Sequence, residues 1–200
     1  VLPLYPAESQ HYAGWLALLA ALAIIFGALS AFGQSDFKRL VAYSSINHMG
    51  FVILGIAAAA AAAGTQNAHI AMNGAVLQMV THGLSAAGMF FLVGVVYDRA
   101  HTREISRLGG FIRKIPWAAI GFIVAGLVSM GMPGFSGFVA EFPIFMGAWA
   151  KAPWVAIIAI IGVLITAAYI LLVIRRVFFG DLPAEYSDVP GINRLDKLVI

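Results

Sequence analysis

Three side chains in this sequence can bind and release a proton from inside a stretch otherwise too apolar to carry one: His48, His82 and Glu141. His48 lies ten residues after Lys38 and His82 thirteen after His69, placing each about 15–20 Å along a helix that rises about 1.5 Å per residue. Glu141 lies seven residues after Gly134 and ten before Lys151. All three therefore fall near the middle depth of a bilayer whose hydrocarbon core is about 30 Å thick. An ionisable residue at the centre of a membrane helix costs about 2.5–3.5 kcal/mol on insertion scales, so such residues point to proton or ion traffic. Three protonatable groups at one depth on successive helices suit a lateral relay through the membrane plane. Imidazole exchanges protons near neutral pH unaided, and a carboxyl does so where its surroundings disfavour the charged form. Polar residues share the helices: Tyr43, Ser44, Ser45 and Asn47 with His48, and Gln78, Thr81 and Ser85 with His82. Spacing of four stacks Ser44 beneath His48 and Gln78 beneath His82. Each histidine alone also reads as an interhelical hydrogen-bond partner. Glu141 fits packing poorly, because a carboxyl beside a Pro/Gly break has no packing role. Lys38 reads either as support for the relay or, with Arg39, as an interfacial anchor.

The elements that must position these groups are transmembrane helices. Hydrophobic residues make up 62% of the chain and charged residues only 10%, against about 25% charged in soluble domains. Apolar blocks of about 20 residues, without strand-like alternation, predict an all-α polytopic bundle. The spans are expected at about 15–33, 40–63, 69–96, 116–150 (broken at 131–137) and 153–178, forming one transmembrane proton-translocation domain over 1–200. The stretch from Pro116 to Ala150, about 35 residues or 52 Å as one helix, is too long for a straight crossing. Gly131-Met132-Pro133-Gly134 supplies a break, since proline lacks an amide donor and clashes with the preceding turn. An interrupted backbone must face protein or an aqueous cavity, so the break at Pro133 and Gly134 belongs to the site. The final apolar run, Leu195 to Ile200, reads as the start of another span and the chain as a piece of a longer protein.

With alternating spans, Lys38, Arg39, Arg99, Arg103, Arg107, Arg113, Lys114, Arg175 and Arg176 collect on one face, and Lys151 stands opposite. The positive-inside rule makes the crowded face cytoplasmic, in a multi-pass protein of the cell inner membrane. The net charge of +3 is thus a topology signal, and no basic, aromatic-interleaved patch supports nucleic-acid binding. The absence of cysteine excludes disulfides and Cys-ligated iron–sulfur clusters from these residues. No metal site and no flavin or nicotinamide motif is seen, so no cofactor is expected in this chain.

Gln34-Ser35-Asp36-Phe37-Lys38-Arg39, running on through Ala42-Tyr43-Ser44-Ser45 to His48-Met49-Gly50, resembles the Q-x-D-x-K-R-x-x-A-Y-S-S-x-x-H-M-G segment of a known family. That family is the antiporter-like membrane subunits of bacterial and cyanobacterial NADH-quinone oxidoreductase, respiratory complex I. Gln78 to Gly88 and Met130 to Phe142 are similar to its next helix and its broken helix. Glu141 stands where the chain M branch carries glutamate and the chain L and chain N branches usually carry lysine. Ala140 departs from the glycine of many chain M sequences. The resemblance implies a parent of about fourteen spans built from inverted repeats, of which this piece holds the second. It further implies a proton-translocating subunit of NADH:quinone oxidoreductase with chain L and chain N type neighbours in a lipid bilayer. Flavin and iron–sulfur clusters are then expected in partner subunits. An Mrp-type cation/proton antiporter subunit, a membrane subunit of a related hydrogenase complex, and a purely structural membrane arm stand as alternatives.

Overall fold

The computed structural model describes residues 2, 4–193 and 196. Six α-helices carry the fold, and no strand forms among the described residues. They are α1 (Pro6–Phe32), α2 (Phe37–Ala61), α3 (Gln66–Ala100), α4 (Pro116–Ser129), α5 (Ser136–Trp149) and α6 (Pro153–Phe178). Helices α1, α2, α3 and α6 are each long and apolar enough to cross a membrane. α4 and α5 are the two halves of the long apolar stretch, interrupted at 130–135 around Pro133 as expected. α1 begins at Pro6, ahead of the expected Trp15, because proline suits the first helical turn. α3 runs on to Ala100, past the expected Val96, and ends where His101 turns left-handed at φ 50°. Apart from Asp196, the run expected to open another span lies outside the described residues.

Lipid gives apolar side chains no reason to prefer each other, so the bundle is held by close backbone approach and buried polar contacts. α2 packs against α1, α3, α5 and α6. A Cβ added at Gly27 of α1 would lie 2.6 Å from the Asn47 backbone nitrogen, and one at Gly50 of α2 would lie 3.0 Å from the Ile24 nitrogen. The alanine run does the same work: Ala57, Ala58 and Ala59 are buried with Ala17, Ala20 and Ala21 of α1 and Ile144 and Ala148 of α5. Large apolar side chains face outward, among them Phe26, Leu84, Phe91 and Leu164. All four tryptophans, Trp15, Trp117, Trp149 and Trp154, are exposed, as suits residues at the interfaces of a bilayer.

The described basic residues other than Lys151 do share one end. There the Phe37 amide donates to the Arg103 carbonyl and the Ile105 amide to the Ser35 carbonyl, both at 2.8 Å. Gly110 N–H donates to Phe179 O at 3.1 Å, tying the α3–α4 connector to the segment after α6. Asp36 caps α2 through the Arg39 amide and faces Arg103 at 3.6 Å. Arg99, buried at the end of α3, donates to the carbonyls of Val95, Pro190 and Gly191 and pairs with Asp196.

Candidate functional site

The three titratable groups named from the sequence are buried in the middle of the bundle: His48 is 2% exposed, His82 8% and Glu141 4%. α2 and α3 set the two imidazoles face to face, with ring centroids 4.7 Å apart and planes inclined by 14°. α5 brings Glu141 to α3, where Gln78 Nε2 donates to Glu141 Oε1 at 3.1 Å. Thr81 Oγ1 donates to Gln78 Oε1 at 3.3 Å, fixing the amide so that its NH2 faces the carboxyl. No cation is bonded to Glu141 among the described residues.

The helix break supplies a contact that helix periodicity alone does not reveal. In an unbroken α4 the Ser129 carbonyl would accept from residue 133, but residue 133 is proline and has no N–H. The freed carbonyl oxygen lies 2.6 Å from His48 Nε2, while Nδ1 of the same ring lies 2.7 Å from the Ser44 carbonyl oxygen. Carbonyls only accept, so both bonds form together only in the doubly protonated ring. In the neutral ring with its proton on Nδ1, the Ser129 hydroxyl, 3.3 Å away, donates to Nε2 instead. Ser129 thus offers a partner for either protonation state of His48. A residue four before a mid-span proline was the signal for it.

Glycines bring the break up to the carboxyl. Gly131, at φ +65°, leaves room for Glu141: a Cβ there would sit 2.6 Å from Glu141 Oε2. A Cβ at Gly137 would lie 2.0 Å from the Val128 carbonyl oxygen, so only glycine lets α5 start against the last turn of α4. His48, Ser129, Met130 and Glu141 line one enclosed pocket with Asn47, Phe51, Val163 and Thr166, too tight for a water molecule. A proton crossing between His48 and Glu141 therefore needs a side-chain rotation or a local opening of that pocket.

The remaining named residues divide. Ser44 is buried against His48, and Gln78 holds Glu141. Lys38 and Tyr43 are exposed, away from the three groups. Ser85 bonds the His82 carbonyl at 3.3 Å and lines a groove between α3 and α4. Thr166 and Tyr169 of α6 went unremarked in the sequence, although two buried polar residues three apart in a very apolar helix were a visible signal.

Gly74 sets the distance between Gln78 and Glu141. A Cβ at Gly74 would meet the Ala140 carbonyl oxygen at 2.8 Å and the Ile144 nitrogen at 3.0 Å, backbone that cannot swing aside. Gly74→Ala is therefore expected to push α5 off α3, to stretch the Gln78–Glu141 bond one turn away, and to destabilise the fold by about 1–3 kcal/mol. Thermal unfolding of the purified subunit checks it, and an unchanged midpoint would contradict this account of the α3–α5 contact.

Residues 1–166 match the model of the family described as NADH:quinone oxidoreductase/Mrp antiporter, transmembrane. The chain belongs to this family. It is a multi-pass membrane protein of that family. NADH-quinone oxidoreductase subunit M of Rhodobacter capsulatus is 41% identical over 184 residues, 92% of this chain and 34% of that protein. Subunit M of Escherichia coli strain K12 is 37% identical over 201 residues, all of this chain and 38% of that protein. Respiratory complex I from Thermus thermophilus with bound NADH contains a chain that superposes with a TM-score of 0.85 at 32% identity, covering 99% of this chain and 40% of its own length. The Mrp complex from Dietzia sp. DQ12-45-1b, at 22% identity and a TM-score of 0.79 over 93% of this chain and 36% of its own, shares the fold. The chain spans about a third of the length of the curated relatives it matches. The helices of this family's fold and the break at 130–135 are thus the scaffold on which His48, His82 and Glu141 sit.

Proposed function

We propose that this chain is the proton-translocating core of the second half of a chain M type subunit in a proton-pumping NADH-quinone oxidoreductase. In that assembly the electron donor is oxidised and quinone reduced on partner subunits that carry the flavin and iron–sulfur clusters, with chain L and chain N type subunits alongside. The observation that carries the reading is the stacked His48–His82 pair beside a carboxyl that bonds no cation among the described residues. His82 and His48 pass protons within the membrane plane, Ser129 holds His48 in either state, and Glu141 loads and releases. Subunit M relatives at 37–41% identity support the redox-coupled reading over an Mrp antiporter, for which the support is the shared family description and likeness of fold.

His82→Phe tests the pair in the full-length subunit within its complex. Phenylalanine keeps a ring stacked on His48 but removes the exchangeable proton. Proton transfer through the subunit is expected to fall by about 10²-fold, the low end for a positioned proton-transfer group, at normal assembly. Unchanged proton pumping per electron would make His82 a packing ring.

The basic end is assigned to the cytoplasmic side of the inner membrane on the positive-inside rule. Thr65 in the α2–α3 turn and Ser106 in the α3–α4 connector are exposed at opposite ends. An impermeant thiol reagent applied outside intact cells is expected to label Thr65→Cys and not Ser106→Cys; the reverse pattern would invert the topology.

A further inference from the structure

At the last turn of α6 two adjacent positive charges stand without a counter-ion. Arg175 and Arg176 are the basic residues of that turn, and both are exposed. The arginines of α3 and of the α3–α4 connector are matched: Arg103 faces Asp36 at 3.6 Å, Arg107 faces Glu185 at 3.4 Å, Arg113 faces Asp181 at 3.9 Å, and Arg99 pairs with Asp196. Among the described residues no carboxylate forms an ion pair with Arg175 or Arg176. Asp181 is near in the chain, but its carboxylate is fully exposed and turned to Arg113. Neighbouring like charges repel, and an anion held between them relieves the repulsion.

The two arginines line a cleft of about 410 Å³ with Leu108, Gly109, Leu172 and Phe179. Small-molecule sites occupy about 300–1,000 Å³, so the cleft has the size of one. Backbone contact fixes one wall. A Cβ at Gly109 would lie 2.8 Å from the Asp181 carbonyl oxygen, and one at Gly110, at φ +65°, would lie 2.6 Å from the Leu182 nitrogen. The connector therefore stands directly against the segment after α6, and the cleft is already shaped. Its lining pairs two guanidiniums with the apolar side chains of Leu108, Leu172 and Phe179, which is the complement of an amphiphile. An apolar track leads away from it. Ile157, Ile161, Leu164, Ala168 and Leu171 are exposed at alternating spacings of four and three, which continue to Arg175 and set all six on one face of α6. From Ile161 to Arg175 that face runs about 21 Å at about 1.5 Å per residue. One leaflet of a hydrocarbon core about 30 Å thick is about 15 Å deep, so the track takes a whole acyl chain.

We propose that this cleft binds the phosphodiester headgroup of an anionic membrane phospholipid on Arg175 and Arg176, with an acyl chain laid along the α6 face from Leu171 to Ile161. Guanidinium holds phosphate oxygens through paired, charge-assisted N–H donors. A zwitterionic headgroup brings its own cation up to the arginine pair, whereas an anionic one does not, and this sets the preference. The apolar track selects a lipid over soluble phosphate, since a free anion leaves Leu172, Phe179 and the face beyond them without a partner. Basic pockets between helices at one membrane surface are where anionic headgroups are recognised. The site is separate from the relay and stands whether or not His48, His82 and Glu141 carry protons.

The test uses the full-length subunit in its complex, reconstituted in phosphatidylcholine vesicles, with a fluorophore on Leu171→Cys as the sole labelled cysteine. Phosphatidylglycerol or phosphatidylcholine with brominated chains is added, and bromine quenches a fluorophore that it touches. Brominated phosphatidylglycerol is expected to half-quench the label at a mole fraction at least about fivefold lower than brominated phosphatidylcholine, the factor one arginine contributes near an anionic lipid. Arg175→Gln, Arg176→Gln should remove that preference, while Lys38→Gln, Arg39→Gln, the same loss of charge at the same end, should leave it. Equal quenching by the two lipids in the labelled parent overturns the proposal without need of any arginine variant. A preference lost equally in both double variants overturns it too, because diffuse surface charge then accounts for the binding. Inorganic phosphate in excess, set against sodium chloride at equal ionic strength, is expected to leave the preference standing. If phosphate alone abolishes it, the arginines hold a soluble anion and the lipid assignment is wrong.

Discussion

Glu141→Gln, made in the full-length subunit and assembled normally in its complex, is expected to abolish the proton transport this subunit contributes. Glutamine matches glutamate in shape and keeps an oxygen to accept from Gln78 Nε2, now 3.1 Å from Glu141 Oε1. What it loses is the ability to take up and release a proton. With packing preserved, the loss reports titration alone, and a fall of at least about 10²-fold in transfer is expected for a proton-loading group. Glu141→Asp keeps titration but withdraws the carboxyl from Gln78 by about one methylene, so a substantial part of the transport should survive. Glu141→Lys should retain some, since the family resemblance implies that lysine usually stands there in the chain L and chain N branches. The measurement is proton pumping alongside NADH-quinone activity in membrane vesicles. A Gln variant that pumps like its parent would make Glu141 a structural residue.

Gly131→Ala should cost transport more than Gly134→Ala does, although the backbone argument alone predicts the opposite. Gly131 sits at φ +65°, in the left-handed region that alanine enters at about 1–2 kcal/mol. Gly134, at φ +96°, is further from any conformation an alanine favours. The neighbours reverse the order. A Cβ at Gly134 meets nothing within 4 Å, whereas one at Gly131 meets Glu141 Oε2 at 2.6 Å. The carboxyl must then swing away, breaking its bond to Gln78 and leaving the pocket it shares with His48. Gly131→Ala should therefore lose most of the transport that Glu141→Gln loses, and Gly134→Ala should lower thermal stability while the assembled protein still pumps. Equal pumping in the two variants would detach Gly131 from the site.

Both experiments turn on contacts of different legibility. The depth of His48, His82 and Glu141 was readable because helix rise is constant, so counting residues from Lys38, His69 and Gly134 measures distance along the membrane normal. The break was readable because proline and glycine act on their own backbone, whatever packs around them. Even the free Ser129 carbonyl follows from Pro133 by counting back four. The motif around His48 carried the family, and 62% hydrophobic residues with 10% charged carried the membrane.

What counting along one helix does not give is the rotation of each helix about its axis and its distance from the next. Those were decided by where small residues permit backbone contact: Gly27 against Asn47, Gly50 against Ile24, Gly74 against Ala140. Such contacts are non-local, and in lipid no hydrophobic stripe announces the inward face, because apolar residues serve equally inside and out. Hence the stacking of His48 on His82, the turn of Glu141 toward Gln78 and the approach of the Ser129 carbonyl to His48 Nε2 belong to the tertiary structure. So does the meeting of α2, α3 and α5 through Gly55, Ala71, Ala75 and Gly147, because counting along one helix does not say which small residues of its neighbours it will meet.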